Sequence, residues 1–134
     1  MMKFTIRLFL PLFSLLISAS CNREVSDRLP GSWSYTNNEV RTVVYDNTTN
    51  EETETITGTI DFIEDGAGNL TVGEEITRFT WTTSTDSVQL FFDGKTISYF
   101  VTDNSKDSQQ WESTQIENGS NYTFTIEQEI VLAR

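Results

Sequence analysis

The sequence predicts an all-β protein, built as an eight-stranded antiparallel up-and-down barrel. After Trp33 no segment places apolar residues at helical spacing over ten positions. Apolar and polar residues instead alternate in short stretches, separated by turns rich in Asn, Asp and Gly. Counting from Ser32 gives about eight strands, and no connection is long enough for a crossover helix. Closure into a barrel removes the exposed edges of such a meander, and a two-sheet β-sandwich is the alternative.

The first clear strand covers residues 56–62, where apolar residues alternate with Thr and Asp. Gly58 lies in its middle and predicts a sharp bend of the kind that barrels use. Another strand begins at Ile76, but Phe79 and Trp81 are an odd number of residues away and would face the opposite side of a regular strand. We therefore expect a β-bulge near Thr77.

The dipeptide Asp93-Gly94 is a favoured two-residue hairpin turn and fixes the register of the strands on either side of it. It pairs apolar residues with one another on one face, as a correct register should. These pairs are Leu90 with Ile97 and Val88 with Tyr99, while Phe91 and Phe100 point to the opposite face.

A second turn of this type is predicted at Asn118-Gly119 and would pair Trp111 with Ile126 and Ser113 with Phe124. The last strand then continues with alternate residues facing inwards, and Gln128 falls on this apolar face. The inward apolar residues are Tyr122, Phe124, Ile126, Ile130 and Leu132.

The N-terminal sequence has the pattern of a secretory leader. Lys3 and Arg7 precede an apolar run, and Ser18-Ala19-Ser20 leads to Cys21, the only cysteine. The run is too short to cross a bilayer, which needs about 20 residues. Its end resembles the lipobox of bacterial lipoproteins, although Ser18 stands where that family usually carries Leu, Val or Ile. The alternative is an ordinary leader cut near Ala19, which would leave an exported free thiol.

Removing residues 1–20 takes away Lys3 and Arg7 and leaves 7 basic against 20 acidic residues, a formal net charge of −13. An acidic surface of this size repels phosphate groups, so nucleic acid and anionic lipid head groups are poor partners. Cationic ligands and basic proteins remain possible partners.

Two short motifs resemble those of small lipocalin-like domains found on bacterial lipoproteins. Gly31-Ser32-Trp33 matches the lipocalin G-x-W, and Thr102-Asp103-Asn104 resembles the T-D-Y/N element between the sixth and seventh strands. The resemblance implies that Trp33 closes the barrel floor. It also implies an arginine after the last strand, and only Arg134 could fill that role. The chain lacks the helix that usually follows a lipocalin barrel.

The resulting domain prediction has three parts: residues 1–20 as a lipoprotein signal peptide, 21–30 as an acylated tether and 31–134 as a lipocalin-like barrel. The lipoprotein resemblance implies anchoring through acyl groups, such as palmitate, on Cys21. It places the protein in the bacterial cell envelope. The residues that follow Cys21 favour the outer membrane, because no aspartate comes first.

No catalytic centre is predicted. The chain has no histidine, which removes the usual general base and the commonest metal ligand. Acylation of Cys21 would remove the one thiol nucleophile. Asp103, Asn104 and Asp107 match no known calcium loop, so polar turn chemistry explains them more simply. We therefore expect no enzyme activity, no metal and no cofactor.

The candidate ligand-binding residues are aromatic residues whose side chains are predicted to face the barrel interior, with Gln128 as a polar group that orients the ligand. The alternative is that they fill the barrel as core. The first hypothesis is a barrel that binds a small apolar molecule, and the second is an acidic module that binds a basic protein. The candidate aromatic residues are Phe62, Trp81, Tyr99, Trp111, Tyr122 and Phe124.

Overall fold

A computed structural model describes residues 24–134. The one-turn helix α1 (Val25–Arg28) precedes eight strands. Each strand runs antiparallel to the next, and β8 pairs with β1 to close the barrel. The predicted eight-stranded up-and-down barrel is thus confirmed, and the sandwich is excluded. The strands are β1 (Gly31–Tyr45), β2 (Thr48–Phe62), β3 (Ala67–Val72), β4 (Glu75–Thr83), β5 (Ser87–Phe92), β6 (Lys95–Asn104), β7 (Ser108–Asn118) and β8 (Tyr122–Ala133).

The predicted leader and the predicted lipidation site at Cys21 lie outside the described residues. Within residues 24–134, no helix has the length and apolar character needed to cross a membrane.

The β5–β6 hairpin has the predicted register. Leu90 pairs with Ile97 and Val88 with Tyr99 across the turn at Asp93-Gly94. Gly94 has the positive φ, 72°, that the second position of such a turn requires. Phe91 and Phe100 face outwards and are exposed, as predicted.

The predicted β7–β8 register is wrong by four residues. Trp111 pairs with Ile130 instead of Ile126, and Ser113 pairs with Gln128 instead of Phe124. Neither residue of the predicted Asn118-Gly119 turn has a positive φ, whereas Gly94 of the β5–β6 turn does. A three-residue connection, 119–121, joins the strands instead. Because the shift is even, every side chain keeps its predicted face.

The bulge predicted near Thr77 is also wrong. The β3–β4 ladder runs without interruption through Leu70–Thr77 and Thr71–Ile76, and Ile76 faces solvent with 64% of its surface exposed. An apolar side chain next to a turn needs no place in the core. The irregularity lies between Val101 and Asp103, where β6 pairs with β7.

Gly58 lies at the point where β3 separates from β2. A Cβ at this position would be 2.1 Å from the Thr71 carbonyl oxygen, so only glycine allows the two backbones to approach so closely. The β2–β3 ladder pairs only residues 59–62 of β2.

Four strands therefore rise above the rest of the barrel. The β1–β2 ladder continues to Tyr45 and Thr48, and the β1–β8 ladder to Tyr45 and Tyr122. The β6–β7 ladder stops at Phe100 and Glu112. We call the resulting four-stranded sheet the extension sheet. It consists of residues 48–54 (β2), 39–45 (β1), 122–128 (β8) and 113–118 (β7), in that order.

The opposite end of the barrel, its floor, is closed by α1 and by the two ends of the described residues 24–134. Val25 and Leu29 are buried in the core, and the Trp33 Nε1 donates to the Leu29 carbonyl at 2.8 Å. The predicted tether range 21–30 thus includes residues that belong to the folded core. The Arg134 guanidinium lies 3.9 Å from the centroid of the Trp33 ring, in a cation–π arrangement. It also donates to the carbonyls of Pro30 and Lys106.

Candidate functional site

The seven predicted ligand-binding residues fall into two groups. Phe62, Trp81, Tyr99 and Trp111 are buried in the barrel and pack against one another and their neighbours. The Phe62 ring centroid lies 5.5 Å from that of Trp81 and 5.9 Å from that of Trp111, in edge-to-face geometry. The Trp81 Nε1 is held by the carbonyls of Ile63 and Ala67. These four residues form a packed aromatic core.

The other three residues lie on β8, in the extension sheet. Tyr122 is at the tip and is 42% exposed, whereas Phe124 and Gln128 are half-buried and face the barrel axis. Gln128 occupies the lowest row of the sheet, where it pairs with Glu39 of β1 and Ser113 of β7.

A layer of polar side chains covers the aromatic core at the barrel mouth. Asn37 and Glu39 are only 5% and 6% exposed, and Ser113 is also buried. Tyr35 comes two residues before Asn37 on the same face. Tyr35, Asn37 and Glu39 were not among the residues predicted from the sequence. The available signal was the period of two that begins at Trp33, which places residues 35, 37 and 39 inwards.

Glu39 is the centre of this layer. Its Oε1 accepts a hydrogen bond from the Gln128 Nε2 at 2.8 Å. Its Oε2 forms an ion pair with the Arg41 Nη2 at 2.6 Å, and the same nitrogen lies 3.7 Å from Glu54. Cross-strand pairing brings these groups together, because Glu39 lies directly opposite both Gln128 and Glu54.

Three buried oxygens of Asn37, Glu39 and Gln128 have no hydrogen-bond partner: the Asn37 Oδ1, the Gln128 Oε1 and the Glu39 Oε2, of which the last is ion-paired with Arg41. All three are acceptors. An unpaired buried polar group costs about 1–3 kcal/mol, so a donor that reached them would be bound favourably.

Burial also changes the acidity of the two tyrosines. Desolvation raises the pKa of Tyr35 from 10.0 to about 12; a side-chain hydrogen bond with Asn37 opposes this rise and the charge of Glu39 adds to it. Desolvation raises the pKa of Tyr99 still further, with contributions from Tyr35 and Glu39. Both hydroxyls therefore stay protonated at neutral pH and remain hydrogen-bond donors and acceptors.

Above the polar layer, the inner face of the extension sheet has an acidic side and an apolar side. A groove of about 350 Å³ follows the β1–β2 side and is lined by Glu39, Arg41, Glu52, Thr53 and Glu54. Towards β8 the same face carries Val43, Phe124 and Ile126, all half-buried. Val43 pairs directly with Phe124, and Arg41 with Ile126.

The motif residues Thr102 and Asp103 are at the other end of the barrel. Asp103 accepts hydrogen bonds from the Ser105 and Ser108 hydroxyls at 2.8 and 3.2 Å, and Thr102 donates to the Gln110 carbonyl. They hold the β6–β7 turn and lie far from the mouth. Within the described part of the chain, no three His, Cys, Asp or Glu side chains are grouped so that they could hold a metal ion.

The fold defines the described residues as a closed, eight-stranded, up-and-down β-barrel, with α1 at its floor and a buried polar layer at its mouth. No protein-family model matches the sequence, and no curated protein is found to be similar to it.

Proposed function

We propose that this protein is a non-catalytic, lipid-anchored envelope protein whose barrel mouth binds a small molecule with an apolar body. The observation that carries the proposal is the pair of buried, unpartnered acceptors, the Asn37 Oδ1 and the Gln128 Oε1. Gln128 lies in the lowest row of the extension sheet, and Asn37 lies two residues before Glu39 on the same face of β1. A few convergent polar groups beside an apolar lining are typical of small-molecule sites.

The packed aromatic core determines where such a ligand would bind. Phe62, Trp81, Tyr99 and Trp111 occupy the lower barrel, so the ligand rests on the polar layer above them. Its body contacts Val43, Phe124 and Ile126, which are half-buried in the free protein. Covering this surface contributes roughly 25 cal/mol per Å² of apolar area.

The lipid anchor is proposed from the sequence of the leader. Cys21 ends a lipobox-like segment, and a chain that starts there enters the described structure at Glu24, on the floor side of the barrel. An anchor at the floor would direct the mouth away from the membrane. The lipocalin-like resemblance is supported by the contact of Arg134 with Trp33, and outer-membrane placement rests on the residues after Cys21.

Native mass spectrometry of the protein extracted from its own cells tests ligand binding. We expect a bound small molecule that a fluorescent fatty-acid analogue or another amphiphile displaces. A barrel that is always empty and takes up no such probe would contradict the proposal.

Intact mass tests the anchor independently. The expected mature chain starts at Cys21 and carries added acyl mass, whereas a Cys21→Ser variant leaves the membrane fraction. A chain that starts at Cys21 without acyl mass rules out lipidation.

A second candidate function is binding of a basic protein to the outer face of β7, β8 and β1. Glu112, Glu127 and Glu129 line a groove of about 370 Å³ there, and Glu112 lies directly opposite Glu129. Like charges held together are relieved by a cationic partner. A pull-down at low and high salt tests this candidate, because a partner retained equally at both would not be held by charge.

A further inference from the structure

We propose that the barrel mouth selects ligands in which a cationic hydrogen-bond donor, a primary ammonium group, is joined to the apolar body. This inference rests on the proposed function and specifies the chemistry of the ligand. The ammonium group would lie between Glu39 and the unpartnered oxygens of Asn37 and Gln128.

The first argument is the type of atom left unpaired. The Asn37 Oδ1 and the Gln128 Oε1 can only accept hydrogen bonds, and Asn37 is 95% buried, since its exposed fraction is 5%. An ammonium group carries three donors and no acceptor. Its three donors match in number the two oxygens and the Glu39 carboxylate, and Gln128 lies directly opposite Glu39, two residues along β1 from Asn37.

The second argument is the charge around the site. Glu39, Glu52 and Glu54 line the groove beside the layer, and Arg41 is the one basic residue in that lining. Arg41 is already engaged, since its Nη2 lies 2.6 Å from Glu39 and 3.7 Å from Glu54. The lining thus keeps an excess of negative charge, which favours a cation.

The same geometry disfavours an anionic ligand. A carboxylate has only acceptor atoms and would face two unpaired acceptors and three glutamates. A neutral alcohol has one donor and no charge. It could donate to only one of these acceptors and would form no ion pair with Glu39.

The test compares hexylammonium, 1-hexanol and hexanoate, which share one apolar body. The full mature chain is placed in nanodiscs of neutral phosphatidylcholine, and binding is measured by calorimetry and ligand-observed NMR against empty nanodiscs. We expect hexylammonium to bind about tenfold more tightly than hexanol, and hexanoate to bind most weakly.

The Glu39→Gln variant keeps the shape of the side chain and removes its charge. It should lower the affinity for hexylammonium about tenfold, and it should change hexanol binding by much less, because hexanol carries no charge. Glu64→Gln is the matched control, because Glu64 is exposed in the floor turn between β2 and β3. If the Glu39 variant fails to fold, Glu54→Gln replaces it, with an expected loss of about two- to threefold at this more exposed position.

The outcomes separate the inference from the function on which it rests. If the three compounds bind equally, or if both Glu39→Gln and Glu54→Gln leave hexylammonium binding unchanged, the cation preference is wrong and the binding function stands. If none of the three binds, the proposed function fails together with the inference.

Discussion

Tyr35 is the clearest case of a single residue whose chemistry is set by its surroundings. It is 7% exposed, under the polar layer of the mouth, and burial raises its pKa from 10.0 to about 12. The folded chain therefore holds this proton more tightly than the unfolded chain does. Its contribution to stability is complete below pH 10 and is lost as the pH rises towards 12.

We predict that the Tyr35→Phe variant resists alkali better than the natural chain. Between pH 9 and pH 11 the natural protein should lose about 1 kcal/mol more of its free energy of unfolding than the variant does. Urea denaturation at the two pH values measures this difference. Tyr45→Phe, at the exposed tip of β1, is the control. Equal losses for the natural chain and Tyr35→Phe would contradict the prediction.

At the same scale, the contacts of Glu39 and Asn37 could not be predicted from the sequence pattern. Their inward positions follow from the period of two that starts at Trp33. The alternation predicts which face a polar side chain occupies, but it does not predict what that side chain contacts. The ion pair with Arg41 and the hydrogen bond from Gln128 arise from cross-strand pairing. A residue 89 positions away along the chain thus completes the environment of Glu39.

The two hairpins β5–β6 and β7–β8 show how a turn controls its strands. Asp93-Gly94 and Asn118-Gly119 are both favoured hairpin dipeptides, yet only Gly94 adopts a positive φ. The β8 strand is also bound by β1 over twelve residue pairs. Pairing with two neighbours at once determines its register, and a local turn preference of about 1 kcal/mol does not override it.

Glycine substitutions test the geometry of these elements. Gly58→Ala should destabilise the protein by about 1–3 kcal/mol, because the new Cβ meets the Thr71 carbonyl and the strands must separate. Gly119→Ala should change stability by no more than about 0.5 kcal/mol, because its φ is not positive and the obstructing atoms belong to the exposed Tyr122 ring. Urea denaturation measures both. Similar losses in the free energy of unfolding would contradict the described geometry at Gly58 or at Gly119.

At the scale of the whole molecule, the two ends of the barrel have separate roles. The floor is closed by α1, Trp33 and Arg134, which unite both ends of the described chain. At the mouth the extension sheet rises on one side only, above the buried polar layer. The structural end and the end that we propose to bind a ligand thus lie at opposite poles of one barrel.

The role of the floor predicts where the folded unit begins. A chain that starts at Gly31 loses Val25 and Leu29 from the core and leaves the Trp33 Nε1 without its partner. We expect it to be less stable than a chain that starts at Glu24 by about 3 kcal/mol or more. Thermal and urea denaturation of the two chains measure the difference. Equal stabilities would place the boundary at Gly31.

The amino-acid sequence alone determined the architecture and the faces of the strands, because alternation of apolar and polar residues is a local property with a period of two. It also singled out Trp33 and Arg134, although not their contact. Only the tertiary structure decided the β7–β8 register, the height difference between the strands and the polar layer around Glu39. These depend on pairing between distant strands, where closure of the barrel and burial outweigh local preferences.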